Sequence, residues 1–66
     1  MTNRIEELRK TSGMTQEDLG RKLGVSRQTI ISLERGRYNP SINLAYAIAR
    51  EFGLTIEEVF IFEEDK

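Results

Sequence analysis

Arg27, Gln28, Ile31, Ser32 and Arg35 fall on one side of a short helical pattern, with Ile30 and Leu33 on the other. Arg can pair bidentately with guanine O6/N7 and Gln with adenine N6/N7, and a β-branched side chain such as Ile31 can meet a thymine methyl. Ser26, directly before this stretch, leaves free backbone N–H groups at a helix start, which suit a phosphate. Thr15-Gln16 offers the same arrangement at the preceding helix. The chemistry on offer is recognition of a charged, hydrogen-bonding polymer.

Covalent catalysis has little to work with. The 66 residues contain no Cys and no His, so disulfides, thiolate metal sites and the commonest general base are absent. Glu57 and Glu58 are adjacent on a helix and do not face each other, so they make neither a metal site nor an acid/base pair. The sequence is read as neither an enzyme nor a holder of metal or cofactor. No run of about 18 apolar residues spans a membrane, and MTNRIEELRK lacks a secretory apolar segment. The expected compartment is the cytoplasm.

Net charge is −1 and the pI about 5.4, which would argue against nucleic acid if charge were uniform. It is not uniform. Residues 1–37 hold eight basic and five acidic side chains, and residues 38–66 two basic and six acidic. A binding face needs local charge, not global charge. The apolar fraction, 38%, gives a thin core, so one small domain over 1–66 is expected and a partner subunit is plausible.

The elements that must position these residues follow from caps and glycines. Thr2 or Asn3 caps a first helix, with Glu6 in capping-box position to Asn3 and Ile5 and Leu8 inward. Thr15 caps TQEDLGRKL, whose acids Glu17 and Asp18 come first and whose bases Arg21 and Lys22 come last, as the helix dipole favours. Gly24 ends it in a left-handed turn. Ser26 caps SRQTIISLER. Ser41 caps INLAYAIAREF, with Ile42, Ala45, Ile48, Ala49 and Phe52 at helical spacing. Thr55 and Glu58 form a capping box for a short fifth helix to Phe60. Phe60, Ile61, Phe62 and Glu63 read as a strand, whose available partner is Met1–Arg4.

The second and third helices, over about residues 16–35, flank a tight Gly24-Val25 connection. Gly20 lies where they must approach closely, and Leu19, Leu23, Val25, Ile30 and Leu33 set the crossing. This is helix-turn-helix geometry. A short capped helix of this kind fits the B-DNA major groove, about 12 Å wide.

Thr15-Gln16, Leu19-Gly20, Gly24-Val25-Ser26, Gln28-Thr29-Ile30, Leu33-Glu34 and Asn39-Pro40-Ser41 together resemble the Cro/CI-type (XRE) helix-turn-helix regulators. The likeness continues through LAYAIAREFGLTIEEVF, and short cytolysin-repressor-like members are the most similar. It implies an all-α, five-helix, lambda-repressor-like domain with a small two-stranded antiparallel pairing of the chain ends. It implies that Gln16 holds a phosphate and that Arg27, Gln28 and Ser32 read bases, assisted by Ser26 and Thr29. Arg35, Arg37, Tyr38 and Asn39 would contact the DNA backbone, and Arg9 and Glu34 would form a buried ion pair. Ser32 is shorter than the long polar residue of some relatives, so a water-mediated contact is expected there.

Each of these residues also has an ordinary reading. Arg27 and Gln28 can be solvated helix residues, Ile31 a lone exposed apolar group, and Arg35, Arg37 and Tyr38 a solubilising loop. Tyr46, Ile56, Val59, Phe60 and Phe62 are many apolar groups for a small C-terminal half. They are read as lining a homodimer interface, and Glu63-Glu64-Asp65 as a solvated end. The expected function is a homodimeric repressor that blocks polymerase from a pseudo-palindromic operator on double-stranded DNA. The alternative is a protein-interaction module, such as the antitoxin of a toxin–antitoxin pair, with a further protein partner.

Overall fold

The computed structural model describes residues 2–61. Two short strands, β1 (Thr2–Asn3) and β2 (Phe60–Ile61), bracket five helices: α1 (Ile5–Thr11), α2 (Gln16–Leu23), α3 (Arg27–Glu34), α4 (Ile42–Glu51) and α5 (Ile56–Val59). The strands pair antiparallel, with Thr2 opposite Ile61 and Asn3 opposite Phe60. The pairing of the chain ends therefore forms as expected; Phe62 and Glu63, also expected in it, lie outside the described residues.

Four of the five helices start on a hydroxyl side chain that accepts from a backbone N–H of the first turn: Thr15, Ser26, Ser41 and Thr55. Such caps satisfy donors that the helix itself leaves unpaired. At α2 the cap is reciprocal, because Asp18 accepts from the Thr15 N–H at 3.0 Å while Thr15 Oγ1 accepts from Asp18 N at 3.0 Å. These hydrogen bonds hold the Asp18 carboxyl below its ordinary pKa, the contact to the Thr15 backbone being the larger cause. Beyond complementing the helix dipole, Asp18 thus closes the box.

The first helix starts differently from expectation. Its N-cap is Arg4, with no side-chain cap, because Thr2 and Asn3 are extended in β1. Asn3 Oδ1 accepts from Ile5 N at 3.0 Å, and Glu6 pairs with Lys10 at 3.0 Å instead of reaching back to Asn3. Strand pairing holds Asn3 extended opposite Phe60, and Arg4 takes the N-cap position instead.

The core draws one or more side chains from every helix: Ile5, Leu19, Ile30, Leu33, Ala45, Ile48, Ala49, Val59 and, from β2, Phe60. Each fully buried Leu or Ile contributes about 1.5–3 kcal/mol of transfer free energy. Val59 and Phe60 correct the interface reading. Both are buried within the chain's own core, at 0% and 2% exposure, so their side chains offer no surface to a second copy. Ile42 is a correction in the other direction. It is 72% exposed, sharing a stripe with Tyr46 one turn on and not with the buried Ala45.

Candidate nucleic-acid interface

The motif is a close fit of α2 on α3. Gly24, at φ 74°, ends α2 in the left-handed region that favours glycine, and the Val25 N–H returns to the Gly20 carbonyl at 2.9 Å. A Cβ on Gly20 would sit 2.8 Å from the Val25 carbonyl oxygen and 3.4 Å from the Ser26 backbone. The close approach is thus to the turn, not to the body of α3. Leu19, Ile30 and Leu33 are fully buried at this junction, with Leu23 and Val25 packed on its margin.

The helix α3 is held at three points. At its start, Ser26 Oγ accepts from Thr29 N at 3.1 Å and lies 3.0 Å from Thr29 Oγ1, so the two hydroxyls serve each other. At its end, the Leu33 carbonyl accepts from Asn3 Nδ2 at 2.8 Å. Along its inner side, Glu34 meets Arg9. Arg9 Nε donates to Glu34 Oε2 at 2.6 Å and Nη2 to Oε1 at 3.3 Å, with the side chains 9% and 5% exposed. The hydrogen bond to Glu34 holds the Arg9 guanidinium above its already high ordinary pKa. A buried pair of this kind costs about 3–5 kcal/mol when one partner is removed.

Arg27 and Gln28 are exposed on the outer face of α3. Ile31 and Ser32 are half-buried, and Ile31 lines a groove with Arg27 and Arg35. Arg35, Arg37, Tyr38 and Asn39 follow just beyond the helix. Arg37, Tyr38 and Asn39 are exposed, and Arg35 lines the same groove as Arg27. Gln16 is half-exposed at the start of α2, and its Nε2 donates to Glu34 Oε1 at 3.1 Å. Nothing in the local pattern signals that contact, because Gln16 and Glu34 stand 18 residues apart on different helices.

Charge pairing separates this face from the rest of the surface. Among the described residues, Arg4, Arg9, Lys10, Arg21 and Lys22 each have a carboxylate within 4.0 Å. Arg27, Arg35 and Arg37 have none among those residues, and all three surround α3. Arg50 is the fourth without one; it lies against Tyr46, with Nη1 donating to the phenol oxygen at 3.1 Å. Arg27 and Arg35, left for solvent along one groove, make a local positive surface on a chain of net charge −1.

Two capped helices locked across a glycine turn, with arginines at the start and just beyond the end of the second that have no carboxylate partner among the described residues, define a helix-turn-helix DNA-binding domain. The helix-turn-helix family model HTH_3, of the XRE type, matches residues 5–59, and the chain belongs to that family. It is a transcriptional regulator, and proteins of this family are non-enzymatic DNA-binding regulators.

An uncharacterized HTH-type transcriptional regulator of Methanocaldococcus jannaschii is 53% identical over 66 residues, covering 100% of both chains. The immunity repressor protein of Bacillus phage phi105 is 38% identical over 66 residues, covering 92% of this chain and 46% of its own. Among solved structures, the clp gene regulator ClgR from Corynebacterium glutamicum superposes with a TM-score of 0.73 at 26% identity, over 82% of this chain and 57% of that one. A hypothetical transcription factor from Neisseria, NHTF, gives 0.74 at 26% identity, over 82% and 61%. The chain thus spans little more than half the length of these two structures. No helix among the described residues is long and apolar enough to cross a membrane.

Proposed function

We propose that residues 1–66 act in the cytoplasm as one helix-turn-helix domain that binds a pseudo-palindromic operator as a homodimer and represses transcription by blocking polymerase. The observation that carries the DNA-facing assignment is the set of three arginines around α3, Arg27, Arg35 and Arg37, left without carboxylate partners among the described residues. In this reading α3 enters the major groove. Arg27, Gln28 and Ser32 read base edges, with Ser26 and Thr29 at the helix start. Gln16, Arg35, Arg37, Tyr38 and Asn39 hold the DNA backbone.

The homodimer places two α3 helices in successive major grooves about 34 Å apart, giving half-sites about 10 bp apart. Tyr46 and Ile56 are the accessible members of the expected interface, and Ile42 joins them: all three line one open apolar groove between α4 and α5. The phage immunity repressor, a relative named for repression, supports repressor over activator. Phe62, the remaining member of the expected interface, lies outside the described residues.

The test is a mobility-shift titration on the DNA upstream of the chain's own gene, at two salt concentrations. Competitor-resistant binding with two subunits per site is the expected result. Weak, salt-labile binding to every duplex would overturn the operator reading. Binding that occurs only with a co-encoded small protein would point to an antitoxin.

A further inference from the structure

Gln16 occupies the first position of α2, where the helix start would meet a phosphate. Its Nε2 donates to Glu34 Oε1, the same oxygen that accepts from Arg9 Nη2, while Glu34 Oε2 accepts from Arg9 Nε. Arg9 Nη1 donates in turn to the Met14 carbonyl at 2.9 Å, in the turn that leads into α2. An unbroken chain of hydrogen bonds therefore runs from the α1–α2 turn, through the buried ion pair, to an amide at the DNA-facing rim.

We propose that Glu34 is a positioning residue for DNA binding: its carboxylate grips Gln16 by one amide N–H and so presents the other to a DNA phosphate. This deepens the DNA-binding reading and rests on it. A side-chain amide has two N–H donors on one end and an acceptor on the other. Facing a carboxylate, it must turn its nitrogen inward, because two acceptors would repel. The grip is charge-assisted, hence stronger than a neutral hydrogen bond. It restrains a side chain with much rotamer freedom during folding, so less is lost when DNA binds.

The charges around the amide fit this role. Glu34 by itself would repel a phosphate, but Arg9 neutralises it at 2.6 Å. Gln16, Glu34, Arg27, Ile31 and Arg35 line one open groove of about 300 Å³, so two cations flank the amide. Glu6, also at this groove, is paired with Lys10.

The experiment compares four full-length chains on a duplex selected by the wild type from a random library: wild type, Q16A, E34Q and Q16A/E34Q. Q16A is expected to weaken binding about tenfold on all sequences. Its salt slope should not change, since a neutral donor releases no counterion. E34Q is expected to weaken binding similarly when Gln16 is present and to add nothing in the Q16A background. Equal losses in both backgrounds, or no loss from E34Q, would overturn the proposal and leave Glu34 a stabilising residue alone. Thermal unfolding shows that each variant is folded at the assay temperature. Should E34Q fail to fold, E34D takes its place, keeping the charge but shortening the reach to Gln16.

The side-chain amide resonances of Gln16 give a second readout without DNA. The proton that meets Glu34 should be shifted away from its free-glutamine position in the wild type and return toward that position in E34Q. Free-glutamine behaviour in the wild type would overturn the proposal. A wild type that selects no duplex would overturn the DNA-binding reading itself, a result distinct from selection followed by equal losses.

Discussion

Asn3 Nδ2 donates to the Leu33 carbonyl at 2.8 Å, so a residue of the terminal β pairing holds the last turn of α3. The same side chain accepts from Ile5 N at 3.0 Å and starts α1. One amide thus ties the strand pair, the first helix and the end of α3 into one unit. Asn3→Ala should destabilise the fold by about 1–3 kcal/mol, because the Ile5 N–H loses its partner and the Leu33 carbonyl keeps only the Gly36 N–H. Chemical denaturation with an unchanged m-value is the check; wild-type stability would show that water replaces both bonds.

Gly20→Ala should be among the most damaging small changes in the chain. The added Cβ would meet the Val25 carbonyl at 2.8 Å, and that carbonyl is backbone of the turn and cannot rotate aside. Overpacking of this sort costs about 1–3 kcal/mol. DNA affinity should fall further than stability alone accounts for, since the shift opens the angle between α2 and α3. Thermal melts and mobility shifts on the same preparation separate the two effects.

Gln28→Ala and Arg37→Ala should fail in different ways. Both side chains are exposed, but one lies on α3 and the other beyond it. Loss of Gln28 should cost about 1–3 kcal/mol on the preferred site and relax preference at one base pair. Loss of Arg37 should weaken binding to every duplex and reduce the salt slope by about one. A sequence-independent loss at Gln28, or an unchanged slope at Arg37, would remove the assigned role.

The start of α2 should loosen in acid before the core does. The Asp18 carboxyl titrates lower in the folded chain than its ordinary value of about 3.9. The unfolded chain therefore binds the proton more readily, and the stabilisation is present above that ordinary value and lost as pH falls through the folded one. The protection of the Thr15 amide, which donates to the Asp18 carboxylate, should fall relative to the intrinsic exchange rate as pH drops below about 4 in the wild type. In Asp18→Asn, whose side chain does not titrate, exchange at this position should no longer follow that transition; a matching acid profile would assign it to another group.

Ile42→Ser should leave stability near wild type, because the side chain is 72% exposed, yet shift the monomer–dimer equilibrium toward monomer. Sedimentation equilibrium reads this directly. Val59→Ala, by contrast, should destabilise the chain itself, because Val59 is fully buried within it. An unchanged association constant for Ile42→Ser would move the interface away from the α4–α5 groove.

Helix starts, turns and the outer face of α3 are legible in the chain alone because their causes are local. A hydroxyl at Thr15, Ser26, Ser41 or Thr55 meets an N–H three residues on, and Gly24 supplies its own left-handed turn. The short-range period also separates Arg27 and Gln28 from Ile30 and Leu33. Which apolar residues are covered is decided by the fold. Val59 and Ile42 are similar in hydrophobicity, but one is buried and the other open, because β2 returns to β1 and draws the end of α5 inward. Asn3 has the side chain of a helix cap and is a strand residue, since the pairing of β1 with β2 holds it extended opposite Phe60. The Gln16–Glu34 contact is likewise tertiary: neither residue has a local reason to meet the other until α2 and α3 cross.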